Sequence, residues 1–360
     1  MQEHLCASKN LWNSLLESSK AVYADFGRFP TFGTLQDLTK ESGLYSQTGQ
    51  AVAHRLFDAI FRRVDLKKKG VKRGFPRFKS IDRVKSLYYP QFGFKLGSRL
   101  DVAPFGSICI VRHREIEGRI KTLTLKRETS GKWFAIFTVE QSEPMAKENY
   151  NPQVGVDVGL THFATFSDGL VIENPRYFKK HEQKLKFLHR KLSKRIKRSR
   201  NHWKARRRLS VAFEKVSNAR SDFLHKLSTE IVRSYSFIAL ENLEIKKMSG
   251  KRFGKSIYDV SWGMFVRMLD YKAESAGCQV VLVNPKNTSK QCSCCGYLVE
   301  KNLSERVHMC PECGLVTDRD LNAAKNILAK ATAGMAGSNA CEVEEASSSV
   351  KQEAQGLSFG

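Results

Sequence analysis

The chain is 360 residues long and 41% hydrophobic, which is enough for two or three domains with ordinary cores. It has no run of about eighteen apolar residues that could span a membrane. Its start, MQEHLCASKN, lacks the basic and then apolar pattern of a signal peptide. We therefore predict an intracellular protein. The 61 Lys+Arg against 36 Asp+Glu give a net charge of +25, which attracts polyanions.

The positive charge is concentrated in two segments. Residues 179–208 hold fifteen Lys or Arg and one acid, and residues 62–79 hold nine and one. A protein that is basic only for solubility, or a ribosomal-type surface, is the alternative, but clusters of this kind are typical of surfaces that neutralise phosphates. We therefore expect a nucleic acid as the partner.

Residues 1–150 are predicted to form a nucleic-acid-binding domain. Apolar residues at helical spacing predict helices within residues 1–65, interrupted by glycine and proline around residues 26–33. Between about residues 84 and 140, four short segments rich in β-branched and aromatic residues are predicted as strands: SLYYPQFGFKL (86–96), SICIVRHREI (107–116), IKTLTLKRE and KWFAIFTVE. Short strands between turns predict a small β-barrel, with the helices as an insertion or a flanking subdomain.

From residue 151 the pattern changes to strands that alternate with helices, which predicts an α/β domain. The strand VGVDVGL (154–160) precedes a hairpin with Asp168 and Gly169 at its turn. Two basic helices follow, and then the buried strand FIALENL, a helix around Phe265 and the strand CQVVLVNP. The last element is the helix DLNAAKNILAKA, and the tail, 336–360, is predicted to be disordered.

Five of the nine cysteines lie between residues 292 and 313, in two Cys-x-x-Cys pairs that are each followed by glycine, with fourteen residues between the pairs. Two such knuckles place four thiolates around Zn²⁺ at about 2.3 Å. A redox dithiol needs one pair only and leaves the second unexplained. We predict a structural zinc ribbon over residues 288–317, with Cys294 as a spare thiol and His308 as a surface or nucleic-acid contact. The predicted ligands are Cys292, Cys295, Cys310 and Cys313.

Three acidic residues stand where an ionised group is costly unless it has a partner. Asp157 lies within an apolar strand, Glu241 ends another, and Asp320 opens the last helix. Each alone has an ordinary explanation, as a turn-forming acid, a solvated strand end or a helix cap. Together they indicate a site for Mg²⁺ or Mn²⁺, since hard oxygen ligands prefer such ions to zinc.

The order of these motifs resembles the TnpB family, the OrfB-type RNA-guided nucleases of IS200/IS605 insertion sequences and relatives of the Cas12 effectors. The motifs are GVDVGLTHFATFSDG, LENL, CSCCG with CPECG, and DRDLNAAKNI. In the family, the first-strand Asp, the strand-end Glu and the Asp just before the NAA motif carry the metals. The resemblance thus implies Asp157, Glu241 and Asp320 as catalytic magnesium ligands, with Asp318 in a capping or outer role. Family members usually begin with a β-strand, whereas Met1 here runs almost directly into helical sequence.

The resemblance implies an RNA-guided DNA endonuclease with two lobes, in the cytoplasm of a prokaryote and associated with the nucleoid. The β-barrel with its helical insertion would hold a guide RNA and read a motif beside a double-stranded DNA target. An RNase H-like (RuvC) domain, residues 151–287 and 318–335 with the zinc ribbon inserted, would cut the DNA, and RNA–DNA pairing would supply specificity. The basic helices would line the channel, where Trp203, Tyr177 and His189 could stack on bases, with a role in the core as the alternative for Trp203.

We hypothesise that Asp157 bridges two ions, that Glu241 and Asp320 each complete one, and that the products carry 5′-phosphates and 3′-hydroxyls. Two alternatives remain open: a guide-dependent DNA-binding regulator that never cuts, and a RuvC-like resolvase or transposase without guide RNA. The presence of all three acids argues against the first alternative. The zinc ribbon and the long basic N-terminal half argue against the second.

Overall fold

The computed structural model describes residues 1–72, 74–141, 149–244, 259–302 and 305–337. The chain divides into two compact units, which in these ranges comprise residues 1–141 and 149–337. No helix in the described ranges is both long and apolar enough to cross a membrane. The predicted disordered tail lies outside the described residues from position 338 onward.

The first unit begins with three helices, where the sequence suggested two: α1 (Gln2–Phe26), α2 (Phe32–Asp37) and α3 (Ser46–Lys68). Helix α2 has six residues, too few to show a helical period, and Thr31 caps it by accepting the N–H of Thr34. The apolar faces of α1 and α3 meet in a core whose most buried members are Leu15, Leu16, Ala53, Leu56 and Ile60.

Two antiparallel sheets of three strands complete this unit. One contains β1 (Ser86–Tyr89), β5 (Arg119–Arg127) and β6 (Trp133–Glu140); the other contains β2 (Phe94–Leu96), β3 (Leu100–Val102) and β4 (Gly106–Ile108). Both contribute to one apolar core with the start of α1. Its buried members are Leu5, Leu87, Tyr89, Leu100, Val102, Leu123 and Leu125.

The predicted β-barrel is not found, since no closed barrel forms within the described part of this unit. Pro90, which has no N–H to donate, separates β1 from β2 in a segment predicted as one strand. The strand predicted over residues 107–116 ends at Ile108, because the chain beyond it is charged and Val111 is 95% exposed. Strands β2 to β4 therefore have three residues each, too few to pair around a closed circle.

The second unit contains a five-stranded mixed sheet in the order β11-β10-β7-β8-β9. Strand β10 is parallel to β7 and to β11, whereas β8 is antiparallel to β7 and to β9. The turn between β8 and β9 has Gly169 at φ 96°, as the Asp-Gly pair predicts. The strands are β7 (Gln153–Val158), β8 (His162–Phe166), β9 (Val171–Glu173), β10 (Phe237–Glu241) and β11 (Gln279–Val283).

Helices cover both faces of this sheet. They are α5 (Arg200–Ser234), α6 (Trp262–Ala276) and α7 (Arg319–Gly337), whereas α4 (Tyr177–Ser193) packs on α5. Alternate residues of β10 point to opposite faces: Ile238 and Leu240 pack with α5 and α6, whereas Phe237 and Ala239 pack with α7. Glu241 is two residues beyond Ala239 and therefore lies on the face of the sheet that α7 covers.

The predicted basic helices are α4 and α5, which pack through Leu185, Leu209 and Val216. The Asp259 carboxylate caps α4 by accepting the N–H of Phe178 at 3.0 Å. The remaining strands, β12 (Val307–Met309) and β13 (Val316–Asp318), form an antiparallel pair that leads directly into α7.

Candidate active site and metal centre

Two of the predicted carboxylates lie side by side at the carboxyl ends of neighbouring parallel strands. The register of β7 and β10 places Val156 beside Leu240. Asp157 and Glu241 follow these two residues in their strands and are therefore neighbours. Both side chains are half-buried. Asp157 is two residues beyond Gly155 and therefore shares the face of the sheet that carries α7.

Gly155 allows α7 to lie directly on β7. A Cβ at this position would be 2.1 Å from the carbonyl oxygen of Ala324 and 2.7 Å from the amide nitrogen of Leu328. Both are backbone atoms of α7, so a side chain cannot be accommodated without moving the helix. The glycine thus sets the distance between the strand of Asp157 and the helix that begins near Asp320.

Asp318, rather than Asp320, caps helix α7. Its Oδ1 accepts the N–H of Asp320 at 2.8 Å and that of Leu321 at 3.1 Å. The capping role that could have explained Asp320 therefore belongs to Asp318, as the resemblance implied. The carboxylate of Asp320 is 20% exposed and is free of the helix cap.

The other two predicted carboxylates affect the charge state of Asp157. Burial, followed by the negative charges of Glu241 and Asp320, raises the pKa of Asp157 well above its usual value. Arg319 opposes this shift only in part. Acids that are 84 and 163 positions from Asp157 in sequence therefore act on it directly in the fold.

Arg306 is a neighbour of the site that the sequence analysis missed. Its guanidinium lies 3.6 Å from the Asp320 carboxylate and donates a hydrogen bond to the Thr161 hydroxyl at 2.8 Å. The side chain is 55% exposed, so the pair contributes little to stability. Nothing in its local sequence distinguishes Arg306 from the other basic residues of the chain.

The donor set at this sheet edge fits hard divalent cations. Burial raises the pKa of Glu241, and the Thr288 hydroxyl and the Lys330 ammonium oppose this shift. The negative charges of Glu241 and Asp320 raise the pKa of the buried Asp157 carboxyl, and a divalent cation bound there would stabilise its ionised form. In the described ranges, only the four cysteines bring three or more ligand atoms within 4.8 Å of one another. The ligand oxygens of the three carboxylates are therefore spread more widely than the four sulfur atoms.

The four predicted zinc ligands meet in the ribbon between β11 and α7, with all their sulfur atoms within 4.8 Å of one another. Cys292 and Cys313 are 3.6 Å apart, and Cys295 and Cys310 are 3.5 Å apart. Sulfur atoms around a tetrahedral zinc ion would be about 3.8 Å apart. The cluster therefore fits zinc, whereas Cys294 is exposed and outside it.

His308 is fully buried, so its interpretation as a surface or nucleic-acid contact is wrong. In strand β12 the flanking Val307 and Met309 are exposed, and the period of two directs His308 inwards. Burial disfavours the Cys292 thiolate, but the N–H groups of Cys295 and Cys294, together with His308, lower the pKa of Cys292 to about 6. His308 thus supports the thiolate form that a metal requires.

Among the proposed stacking residues, Trp203 is 42% exposed, with the Arg206 guanidinium 5.1 Å from the centroid of its ring. His189 is also exposed, whereas Tyr177 packs against the core between α4 and α5. The basic surface of α4 and α5 therefore presents Trp203 and His189 to solvent, but not Tyr177.

Comparison with known families supports the order of motifs. Residues 136–252 match the family described as "Probable transposase", of the OrfB/IS605 type, and residues 262–327 match "Cas12f1-like, TNB domain". The first match includes Asp157 and Glu241, and the second includes the four cysteines and Asp320.

Two relatives cover most of the chain. "Putative RNA-guided DNA endonuclease InsQ" of Escherichia coli is 32% identical over 282 residues, which are 73% of this chain and 70% of that protein. A "Putative RNA-guided DNA endonuclease" of Streptomyces pristinaespiralis is 34% identical over 247 residues, 66% of this chain and 61% of that protein. Other relatives are named TnpB-like proteins.

The fold is shared with a solved structure, the Cas12f1 protein of a complex with single guide RNA and target DNA. The TM-score is 0.56 at 14% identity, over 91% of this chain and 81% of that one. The chain therefore has a Cas12-like mixed α/β fold. At 32% identity over 70% of the length of the Escherichia coli protein, the chain belongs to the TnpB family.

Gly155→Ala is expected to destabilise the second unit by about 3 kcal/mol or more, because its Cβ would displace the α7 backbone. Any cleavage activity should fall further than stability alone explains, since Asp320 moves with the helix. The control is Gly334→Ala, in helix α7 itself, where a Cβ would meet nothing within 4 Å. Denaturant unfolding of both variants checks this expectation, and equal stabilities would contradict it.

Proposed function

We propose that this chain is an RNA-guided DNA endonuclease of a transposable element, which hydrolyses phosphodiester bonds with two divalent metal ions. Asp157, Glu241 and Asp320 would hold Mg²⁺ or Mn²⁺. Bound there, such ions supply Lewis-acid stabilisation of phosphoryl oxygens and lower the pKa of a water. A structural Zn²⁺ on Cys292, Cys295, Cys310 and Cys313 would maintain the ribbon.

The observation that carries this proposal is that Asp157 and Glu241 lie at the adjacent ends of two parallel strands, where the charges of Glu241 and Asp320 raise the pKa of Asp157. A protein that binds nucleic acid only for regulation gains nothing from two further negative charges near a buried carboxyl group. A catalytic metal site requires that arrangement, because ligands must bind a cation strongly while water and substrate complete its coordination.

In this proposal, the guide RNA and the DNA target are inferred from the names of the relatives. Two of them are named RNA-guided DNA endonucleases, and the excess positive charge of residues 179–208 suits an RNA or RNA–DNA backbone. The mixed sheet with carboxylates at the ends of β7 and β10 supports an RNase H-like (RuvC) assignment. Within it, we keep the predicted division into residues 151–287 and 318–335, with the zinc ribbon at 288–317 and a nucleic-acid-binding region at 1–150.

The proposal is tested by purifying the full chain from cells that carry its gene with the flanking DNA, and sequencing the RNA that copurifies. The complex is then incubated with duplex DNA that contains or lacks a sequence complementary to that RNA, between randomised flanks. We expect one defined RNA, and cleavage that requires complementarity and Mg²⁺. Binding without cleavage would indicate a regulator, and cleavage independent of RNA would indicate a resolvase or transposase. Either result would overturn the proposal.

A further inference from the structure

Three polar side chains at a spacing of four residues along α7 hold the segment that leads into the first zinc knuckle. The Asn322 amide donates to the carbonyl of Gln291 at 2.7 Å and accepts the N–H of Ser293 at 2.9 Å. The Asn326 amide donates to the carbonyls of Thr288 at 2.8 Å and Gln291 at 2.6 Å. One turn further on, Lys330 donates to the carbonyl of Lys286.

These hydrogen bonds fix segment 286–293 to helix α7, which also carries Asp320.

The contacts of Asn322 and Asn326 are shielded from water. Asn322 and Asn326 are 0% and 6% exposed, and Thr288 is 2% exposed. A buried amide that lost these partners would leave backbone groups unsatisfied, which costs about 1–3 kcal/mol for each group. Segment 286–293 is thus held rigidly at the point where it passes the sheet edge.

At that point Thr288 contacts one of the three carboxylates. Its hydroxyl is 2.5 Å from Oε1 of Glu241 and 3.0 Å from the carbonyl oxygen of Pro285. The hydroxyl has a single proton, and an ionised carboxylate is the stronger acceptor, so the proton is donated to Glu241. This hydrogen bond lowers the pKa of Glu241 against the effect of burial and fixes one of its two carboxylate oxygens.

We propose that Thr288 is a positioning residue for the metal site: by binding Oε1 of Glu241 it directs Oε2 towards the shared cations, and segment 286–293 with Asn322 and Asn326 holds Thr288 in place. This inference rests on the proposed function, since it requires that Glu241 bind a cation. It assigns Thr288, four residues before the first zinc ligand, to the carboxylate site rather than to the zinc ribbon.

A hydroxyl that orients a metal-binding carboxylate has a characteristic effect when it is removed. Without it, the Glu241 side chain regains rotamer freedom and its charge loses a buried donor, so metal affinity falls while the other two ligands remain. Partners of this kind typically change metal affinity or activity by about 10- to 100-fold. A purely structural role for Thr288 would change stability and leave metal affinity unaltered.

The test measures Mn²⁺ affinity of the full chain, by titration with electron paramagnetic resonance detection of free Mn²⁺, in two pairs that each differ by one hydroxyl. The first pair is wild type and Thr288→Val, and the second is Thr288→Ser and Thr288→Ala. We expect the member without the hydroxyl to bind Mn²⁺ about 10- to 100-fold more weakly in both pairs. Thr288→Ser should stay within a few-fold of wild type. Zinc content and melting temperature identify any variant that fails to fold. If one pair contains such a variant, the Mn²⁺ affinities of the other pair test the inference.

Equal Mn²⁺ affinities within a folded pair would overturn this inference. Failure of the proposed function gives a different result: wild type and Asp157→Ala would then bind Mn²⁺ equally. The inference on Thr288 requires that Asp157→Ala lose binding and that the hydroxyl-free variants lose it in part.

Discussion

Asp157→Asn is expected to lower the rate of DNA cleavage by about 1,000-fold or more, and at the same time to stabilise the metal-free protein. In the proposed site Asp157 would bind the catalytic cations, and its loss would remove several kcal/mol of transition-state stabilisation. In the absence of metal, however, the same substitution removes a charge that burial and two neighbouring carboxylates disfavour. Opposite effects on activity and stability distinguish a metal site from an ordinary buried acid.

The stabilisation should depend on pH in a defined direction. The pKa of Asp157 is raised in the folded protein, so its protonated form favours folding below the unfolded pKa of about 3.9, and this contribution is lost as pH rises through the folded value. In EDTA, the advantage of Asp157→Asn in free energy of unfolding should therefore grow as pH rises above about 4. Excess Mg²⁺ should reverse it, because the ion binds the folded wild type and not the variant.

Cleavage of target DNA and urea unfolding in EDTA measure the two effects. Asp270→Asn, an exposed acid on α6 in the same unit, is the matched control for removal of one negative charge. RNA binding should be unaltered in both variants. If Asp157→Asn cleaves DNA as fast as Asp270→Asn does, Asp157 is not a metal ligand.

Cys310→Ser is expected to abolish zinc binding and to unfold the part of the ribbon that follows residue 293. Structural zinc sites contribute about 10–16 kcal/mol of apparent binding free energy to folding, and a serine hydroxyl does not replace the thiolate. Asn322 and Asn326 hold the start of the ribbon, but its remaining described residues have one short strand pair and one isolated bridge, so little else maintains them without metal. Zinc content should fall from one per chain to nearly none.

Cys294→Ser provides the control in the same segment, since Cys294 is exposed and lies outside the group of four sulfur atoms. It should keep one zinc per chain and the wild-type melting temperature. Metal analysis by mass spectrometry and scanning calorimetry distinguish the two variants. Equal zinc content in Cys310→Ser and Cys294→Ser would contradict the assignment of the four ligands.

The sequence predicts the acids better than their surroundings. Asp157 and Glu241 stand out because charge is rare inside apolar strands, and the cysteines because their spacing repeats. Thr288 gives no such signal, since its contact with Glu241 depends on how segment 286–293 lies across α7. Long-range geometry of this kind has no local period.

The β-barrel was predicted wrongly because its closure depends on properties that the local sequence does not specify. The four β-rich segments were located correctly in part, but closure depends on strand length and pairing partners, which a local pattern does not specify. Pro90 and the charged residues after Val111 shorten the strands. His308 was misjudged for a similar reason, because one residue of register in β12 decides which face it occupies.

Anomalous X-ray scattering at the manganese edge, from crystals of the RNA-bound protein soaked in Mn²⁺, would locate the metal ions of the proposed active site. We expect two peaks about 4 Å apart, both in contact with Asp157 and each also in contact with Glu241 or Asp320. Manganese bound elsewhere, with these three carboxylates free of metal at saturating Mn²⁺, would contradict the account.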